Sequence, residues 1–122
     1  MFAGHHHLDN LFMILDYNHM QALGKTSETM VLDPLVDKWQ SFGWSAREGD
    51  GHKFDEIFGA FKEMPFKTGR PSIFIANTVK GKGVSFMENV AKWHHGVPSE
   101  SELKQALAEL DAAEKRLQEA VV

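Results

Sequence analysis

The chain has 122 residues, 43% of them hydrophobic, so it can bury one core and is not a disordered segment. Its formal net charge of −4 argues against the basic face of a nucleic-acid binder, and no apolar run approaches the ~20 residues that span a bilayer. No cysteine occurs, so disulfides and thiolate metal sites are ruled out, a pattern that fits a cytoplasmic protein, and the first residues carry no signal-peptide pattern.

His5-His6-His7 near the N-terminus reads either as a tag-like metal-binding run or as the end of a helix entering the first strand. Leu11 to Leu15 is a continuous apolar run, which predicts a strand buried on both faces and ending at Asp16. A polar loop is expected from Tyr17 to Thr29. Asp33 then reads as an N-cap, with Pro34 in the first turn of a helix whose Leu35, Trp39 and Phe42 share a face. Gly43 stops it, and a short strand is expected from Gly43 to Glu48. Gly49-Asp50-Gly51 predicts a turn. Phe54, Ile57, Phe58 and Phe61 recur at helical spacing, and Pro65 ends that helix. Ser72 to Val79 is the clearest strand, rich in β-branched residues, and Gly81-Lys82-Gly83 follows it directly. Val84 to Pro98 reads as irregular. Ser99 and Glu102 form a capping box ahead of a last helix, with Leu103, Leu107, Leu110, Leu117 and Val121 on one stripe.

Strands alternating with helices predict an α/β fold, an open and mostly parallel sheet with flanking helices. Ligands in such sheets bind at the carboxyl ends of the strands, here Asp16-Tyr17-Asn18, Glu48-Gly49-Asp50 and Thr78-Val79-Lys80. Three strands leave raw edges, so association with further sheet or with other copies is expected.

Four strings carry possible chemistry. Asn18 at a strand end can offer an oxygen to Mg²⁺ or Ca²⁺, although an Asn in a turn ordinarily bonds its own backbone. Asp50 between two glycines is first of all a turn. Lys80-Gly81-Lys82-Gly83 lets backbone and ammonium approach an anion, yet it lacks the Walker spacing and a short basic turn is its ordinary reading. His94 and His95, beside Trp93, can donate or shuttle a proton or simply cap a loop.

In order, these strings resemble transketolases. The matching segments are Leu8-Asp9-Asn10-Leu11, Asp16-Tyr17-Asn18 with Gln21 and Gly24, Pro34-Leu35 with Lys38, and Phe42-Gly43-Trp44. Further matches are Asp50-Gly51-His52, Pro71 to Thr78, Lys80 to Val84 with Phe86-Met87-Glu88, and Trp93 with His95-Gly96-Val97-Pro98. The likeness covers about residues 3 to 110 and is strongest to the separate N-terminal subunit of two-gene transketolases.

That resemblance implies thiamine diphosphate with Mg²⁺ (or Ca²⁺) as cofactors and transfer of a two-carbon ketol unit between sugar phosphates. It implies Asn18 as a metal ligand and cofactor contact, and the Met20 carbonyl as the neighbouring ligand. Lys80 is implied near the cofactor and His95 as the active-site histidine. Anchoring on Trp93 instead gives that place to His94. The histidines at 5 to 7 match a native His-rich stretch. The family's Gly-Asp-Gly fingerprint stands well upstream of the Asn, and only 17 residues precede Asn18 here. Gly49-Asp50-Gly51 matches a different element, and the lysine expected after His-Gly is Val97. The chain is therefore expected to be a partial thiamine diphosphate-binding domain over 1–98 with a C-terminal helix over 99–122. Alone it should bind cofactor weakly or not at all and be inactive. Its expected partners are a transketolase C-terminal subunit or an upstream segment, and further copies in a homo-oligomer, with no nucleic acid and no membrane. Two alternatives stay open: a non-catalytic assembly module of the same ancestry, and another thiamine diphosphate enzyme such as deoxyxylulose-phosphate synthase.

Overall fold

A computed structural model describes residues 1–22 and 24–120. Helix α1 (Phe2–His5) precedes strand β1 (Phe12–Tyr17), two-residue strands β2 (Met20–Gln21) and β3 (Gly24–Lys25), and helix α2 (Thr26–Thr29). Helix α3 (Leu35–Ser41), strand β4 (Ser45–Asp50), helix α4 (Phe54–Lys62) and strand β5 (Ser72–Asn77) follow. A 3₁₀ turn (Ala91–His94) and helix α5 (Glu100–Ala120) complete the order. The chain divides into two compact units. The first holds residues 1–19 and 25–78; the second holds residues 20–24 and 79 onward.

In the first unit, three strands form a parallel sheet in the order β1-β5-β4. β5 lies in the centre because its unbroken apolar run can be covered on both faces. Ile73 and Ile75 point to one face and are 0% and 1% exposed. They pack with Tyr17, Trp44, Met13 and Leu15, and with Leu35, Val36 and Trp39 of α3. Phe74 and Ala76 point to the other face and pack with Ala60 and Ile57 of α4. Burying each large aliphatic or aromatic side chain is worth about 1.5–3 kcal/mol. The expected open parallel α/β arrangement is therefore present, with β1 and β4 as its edges.

Several local expectations need correction. Asp33 is not the N-cap of α3. Pro34 holds that place with no side-chain cap bond, because the Asp33 carboxylate instead accepts the Tyr17 hydroxyl at 2.9 Å. The 17–29 loop contains β2, β3 and the single turn α2. Gly49 and Asp50 still belong to β4, and the turn falls at Gly51-His52. α4 turns Ile57 and Ala60 to the sheet but leaves Phe54, Phe58 and Phe61 77%, 59% and 56% exposed. Periodicity marked this helix correctly but not the extent of its burial.

In the second unit, the capping box is formed as expected. The Ser99 N–H donates to Glu102 at 2.7 Å, and the Glu102 N–H donates to Ser99 Oγ at 3.3 Å. Ala106 is the buried residue of α5, while Leu103, Leu107, Leu110 and Leu117 are exposed. Val121 lies outside the described residues.

Candidate functional site

The carboxyl ends of the three strands lie side by side because the sheet is parallel: Tyr17 and Asp50 are both in register with Asn77. At this end of β1, Tyr17 is buried and its phenol donates to Asp33 Oδ2 at 2.9 Å. Buried Thr26 places Oγ1 3.4 Å from the phenol oxygen and donates from it to the His19 carbonyl at 3.3 Å. The Thr26 backbone N–H donates to the same carbonyl at 2.9 Å. His19 lies in the left-handed region at φ 58°, costly for a residue with a side chain, and its ring packs at a tilt against that of Tyr17, with centroids 4.1 Å apart. Lys38 of α3 donates to the Leu32 and Asp33 carbonyls at 2.7 and 3.1 Å. Turned from the His19 carbonyl, the Thr26 hydroxyl would favour the phenolate, but burial and the Asp33 carboxylate outweigh it, so the Tyr17 pKa lies above 10.0.

The middle strand continues into Thr78, whose hydroxyl donates to Asp16 on β1. At the end of β4, Asp50 Oδ1 accepts the His52 N–H at 2.9 Å. Glu56 reaches back from α4 to accept the Asp50 N–H at 2.8 Å and Lys53 Nζ at 3.2 Å. Those two bonds, the backbone one first, hold its pKa below 4.5. A side chain at Gly49 would meet this carboxylate at 2.6 Å and the Phe74 ring at 3.0 Å, so it would have to displace Glu56 from the Asp50 N–H.

Of the residues singled out from the sequence, half-buried Asn18 lies in the first unit, directly after Tyr17. Met20, Lys80, His94 and His95 lie in the second. The Lys80 carbonyl accepts the Asn89 N–H at 2.9 Å. Its ammonium has no carboxylate within ion-pair distance among the described residues, whereas Lys82 lies 3.9 Å from Glu88. Gly81 and Gly83 are both left-handed, at φ 74° and 96°. His94 closes the 3₁₀ turn and His95 follows it; both are exposed, with rings 6.0 Å apart. Trp93 anchors this segment by donating Nε1–H to the Phe86 carbonyl at 3.0 Å and packing on the Phe86 ring.

Glu109 of α5 was not foreseen. It accepts the Ser85 N–H at 2.6 Å and the Ser85 hydroxyl at 2.8 Å, and these bonds with Gln105 hold its pKa below 4.5. An open groove of about 310 Å³ lies there, lined by Gly83, Ser85, Glu88, Glu109, Ala112 and Arg116. Tyr17, Thr26, Asp33 and Glu56 were equally missed as a group, since no motif links polar residues so far apart in sequence. Near the N-terminus, His7 Nδ1 lies 3.0 Å from the Gly69 carbonyl oxygen, while Asp9 accepts the Gly69 N–H at 2.9 Å. Among the described residues no three His, Cys, Asp or Glu side chains converge as a metal site. Asn18 and the Met20 carbonyl are neutral oxygen donors, the kind that suits a hard divalent cation. Lys80 offers the charge that suits a diphosphate.

The chain matches, over residues 1–116, the family described as transketolase, thiamine diphosphate binding domain. It is 38% identical to an apulose-4-phosphate transketolase subunit of Phocaeicola vulgatus over 97% of this chain and 42% of that protein. It is 45% identical to a 6-deoxy-6-sulfo-D-fructose transketolase subunit of Clostridium sp. over 91% of this chain and 40% of that one. The chain thus spans about two fifths of the length of these curated relatives. Among solved structures, transketolase from Campylobacter jejuni superposes with a TM-score of 0.74 at 29% identity, covering 86% of this chain and 16% of that one.

Proposed function

This chain belongs to the transketolase family through its thiamine diphosphate-binding domain, and from that premise we propose that it contributes residues to the cofactor site of an enzyme that moves a two-carbon ketol unit between sugar phosphates. The observation that carries the reading is the parallel sheet, with Asn18 placed directly after the register pair Tyr17–Asn77 at its carboxyl end, where open α/β sheets bind ligands. In this proposal Asn18 and the Met20 carbonyl ligate Mg²⁺ (Ca²⁺ being the substitute), Lys80 faces the diphosphate, and His95, ahead of His94, donates a hydrogen bond to substrate. When bound, thiamine diphosphate supplies the carbanion-stabilising chemistry of ketol transfer. The protein groups named here bind, orient and donate.

Asn18 and Met20 bring no charge to the metal, and oxygen sites depend on ligand charge and number. The chain by itself therefore binds the cofactor weakly and gains affinity with a second polypeptide. That partnership is supported by the relatives from Phocaeicola vulgatus and Clostridium sp., both named as transketolase subunits. Self-association is supported by the two raw sheet edges and by the exposed Phe54, Phe58 and Ile14. We assign the assembled enzyme to the cytoplasm; no helix among the described residues is long and apolar enough to cross a membrane.

The test combines the chain with a transketolase C-terminal subunit, Mg²⁺ and thiamine diphosphate, and measures cofactor affinity by calorimetry and ketol transfer by product formation. Lys80→Ala should weaken cofactor or substrate binding. His95→Ala should lower turnover by ~10²–10³-fold, as for loss of a donor to developing charge, and His94→Ala should do less. Tight binding of cofactor by the chain alone, or a silent His95→Ala beside a damaging His94→Ala, would overturn the assignment.

A further inference from the structure

Thr26 is one of two buried polar residues among those described, with Ser72. Ser72 is accounted for: its hydroxyl oxygen accepts the Phe66 N–H at 3.0 Å and ties the 66–72 turn. Thr26 instead ties the 19–26 segment, and it does so at one residue beyond Asn18. A valine would fill its space, so the hydroxyl calls for its own reason. Both of its donors converge on one acceptor, the His19 carbonyl, from the backbone N–H at 2.9 Å and from Oγ1 at 3.3 Å. His19 sits in the left-handed region at φ 58°, a conformation that persists only where its surroundings impose it. The imposing groups are Thr26 on its carbonyl and the Tyr17 ring against its imidazole at 4.1 Å. Tyr17 is fixed in turn by Asp33 at 2.9 Å, and its own carbonyl accepts the Thr78 N–H at 3.1 Å.

Asn18 is the residue between. Its preceding neighbour is the last residue of β1, paired to β5; its following neighbour is clamped by Thr26. We propose that Thr26, backed by Tyr17 and Asp33, is a positioning residue that sets the backbone on the His19 side of Asn18 before any ligand arrives, as the β1–β5 pairing sets it on the Tyr17 side. This rests on the reading of Asn18 as a Mg²⁺ ligand. Mg²⁺ demands near-ideal octahedral geometry, and groups that orient its ligands typically affect affinity 10–100-fold when removed.

The variants are Thr26→Val, which keeps the shape and loses the hydroxyl, and Thr26→Ser, which keeps the hydroxyl. The first readout is hydrogen exchange of the residue-26 amide, bonded to His19, in the chain without metal or cofactor. It should quicken about 10-fold in Thr26→Val and return towards wild type in Thr26→Ser. The second is Mg²⁺ affinity at saturating thiamine diphosphate in the assembled enzyme, which should fall by about 10-fold in Thr26→Val and recover in Thr26→Ser. A purely structural residue would shift the melting temperature and leave this metal affinity per folded molecule unchanged. Unchanged exchange in Thr26→Val overturns the clamp. Quickened exchange with unchanged Mg²⁺ affinity overturns the positioning role and points to a wrong metal ligand. If the wild-type enzyme binds no Mg²⁺–cofactor, the functional reading fails while the exchange result still decides the clamp. Should Thr26→Val fail to fold, Thr26→Ala, which also removes the hydroxyl from the His19 carbonyl, takes its place, with the same two results expected and the same two refutations.

Discussion

The loop after β5 carries Lys80, and its shape depends on Gly81. That residue is left-handed at φ 74°, and a side-chain carbon there would come within 2.7 Å of the Met87 carbonyl oxygen and 2.9 Å of its carbonyl carbon. The obstacle is backbone, so no rotamer change relieves it. Gly81→Ala therefore combines a conformational cost of about 1–2 kcal/mol for a left-handed L-residue with an overpacking cost of about 1–3 kcal/mol. Two other glycines separate these effects. Gly69 is left-handed at φ 73° with nothing within 4 Å, so Gly69→Ala should cost only the conformational ~1–2 kcal/mol. Gly59 lies inside α4 with open space around it, so Gly59→Ala should stabilise by about 0.5–1 kcal/mol. Urea unfolding of the three variants gives the ranking. Amide exchange at Asn89, whose N–H donates to the Lys80 carbonyl at 2.9 Å, shows whether the loop opens locally instead. If Gly81→Ala is no worse than Gly69→Ala and Asn89 keeps its protection, the reasoning about this loop is refuted.

Tyr17 is the sole tyrosine of the chain, so phenolate absorbance reports it alone. The native midpoint should lie above 10.0, fall in Asp33→Asn, rise further in Thr26→Val, and return to 10.0 on unfolding. Because the folded pKa is raised, the stability it contributes is present below 10.0 and lost as pH climbs through the folded value; a native midpoint at or under 10.0 would contradict the burial and the Asp33 bond. Glu102 and Glu109 behave in the opposite sense. The Ser99 and Ser85 backbone N–H groups, foremost among their partners, hold these carboxyls below 4.5, so the stability they contribute is present above 4.5 and lost as pH falls below it. Amide protection at Ser85 and Ser99 should decline together in that acid window, and Glu109→Gln should remove only the acid sensitivity of Ser85.

The proposed site residues come from motif order. Asn18, Lys80 and His95 stand out because a strand end, a glycine loop and a His-Gly-Val-Pro string follow one another as in transketolases. The groups around Asn18 were not legible. Asp33 before Pro34 satisfies every local rule for a helix cap, yet its carboxylate goes to Tyr17. The choice between the two is made by the position of β1 relative to the 26–34 segment, which no short window of sequence contains. Glu56 looks like an ordinary first-turn acid, and only the return of α4 onto the sheet sets it on the Asp50 N–H.

What the sequence determined by itself was what short-range physics controls. The unbroken apolar run of β5, the 3.6-residue spacing of α4, the glycine after α3 and the Ser99–Glu102 box each concern neighbours within about a turn or a strand, where covalent geometry and local hydrogen bonds dominate. Tertiary structure alone decided the order β1-β5-β4, the burial of Ile57 and Ala60 against the exposure of Phe54, Phe58 and Phe61, and the convergence of Thr26, Tyr17 and Asp33 on the Asn18 segment. Those outcomes depend on which surfaces exclude water together and which buried hydroxyls and carboxylates find one another across the chain, and such free energies exist only once distant segments are in contact.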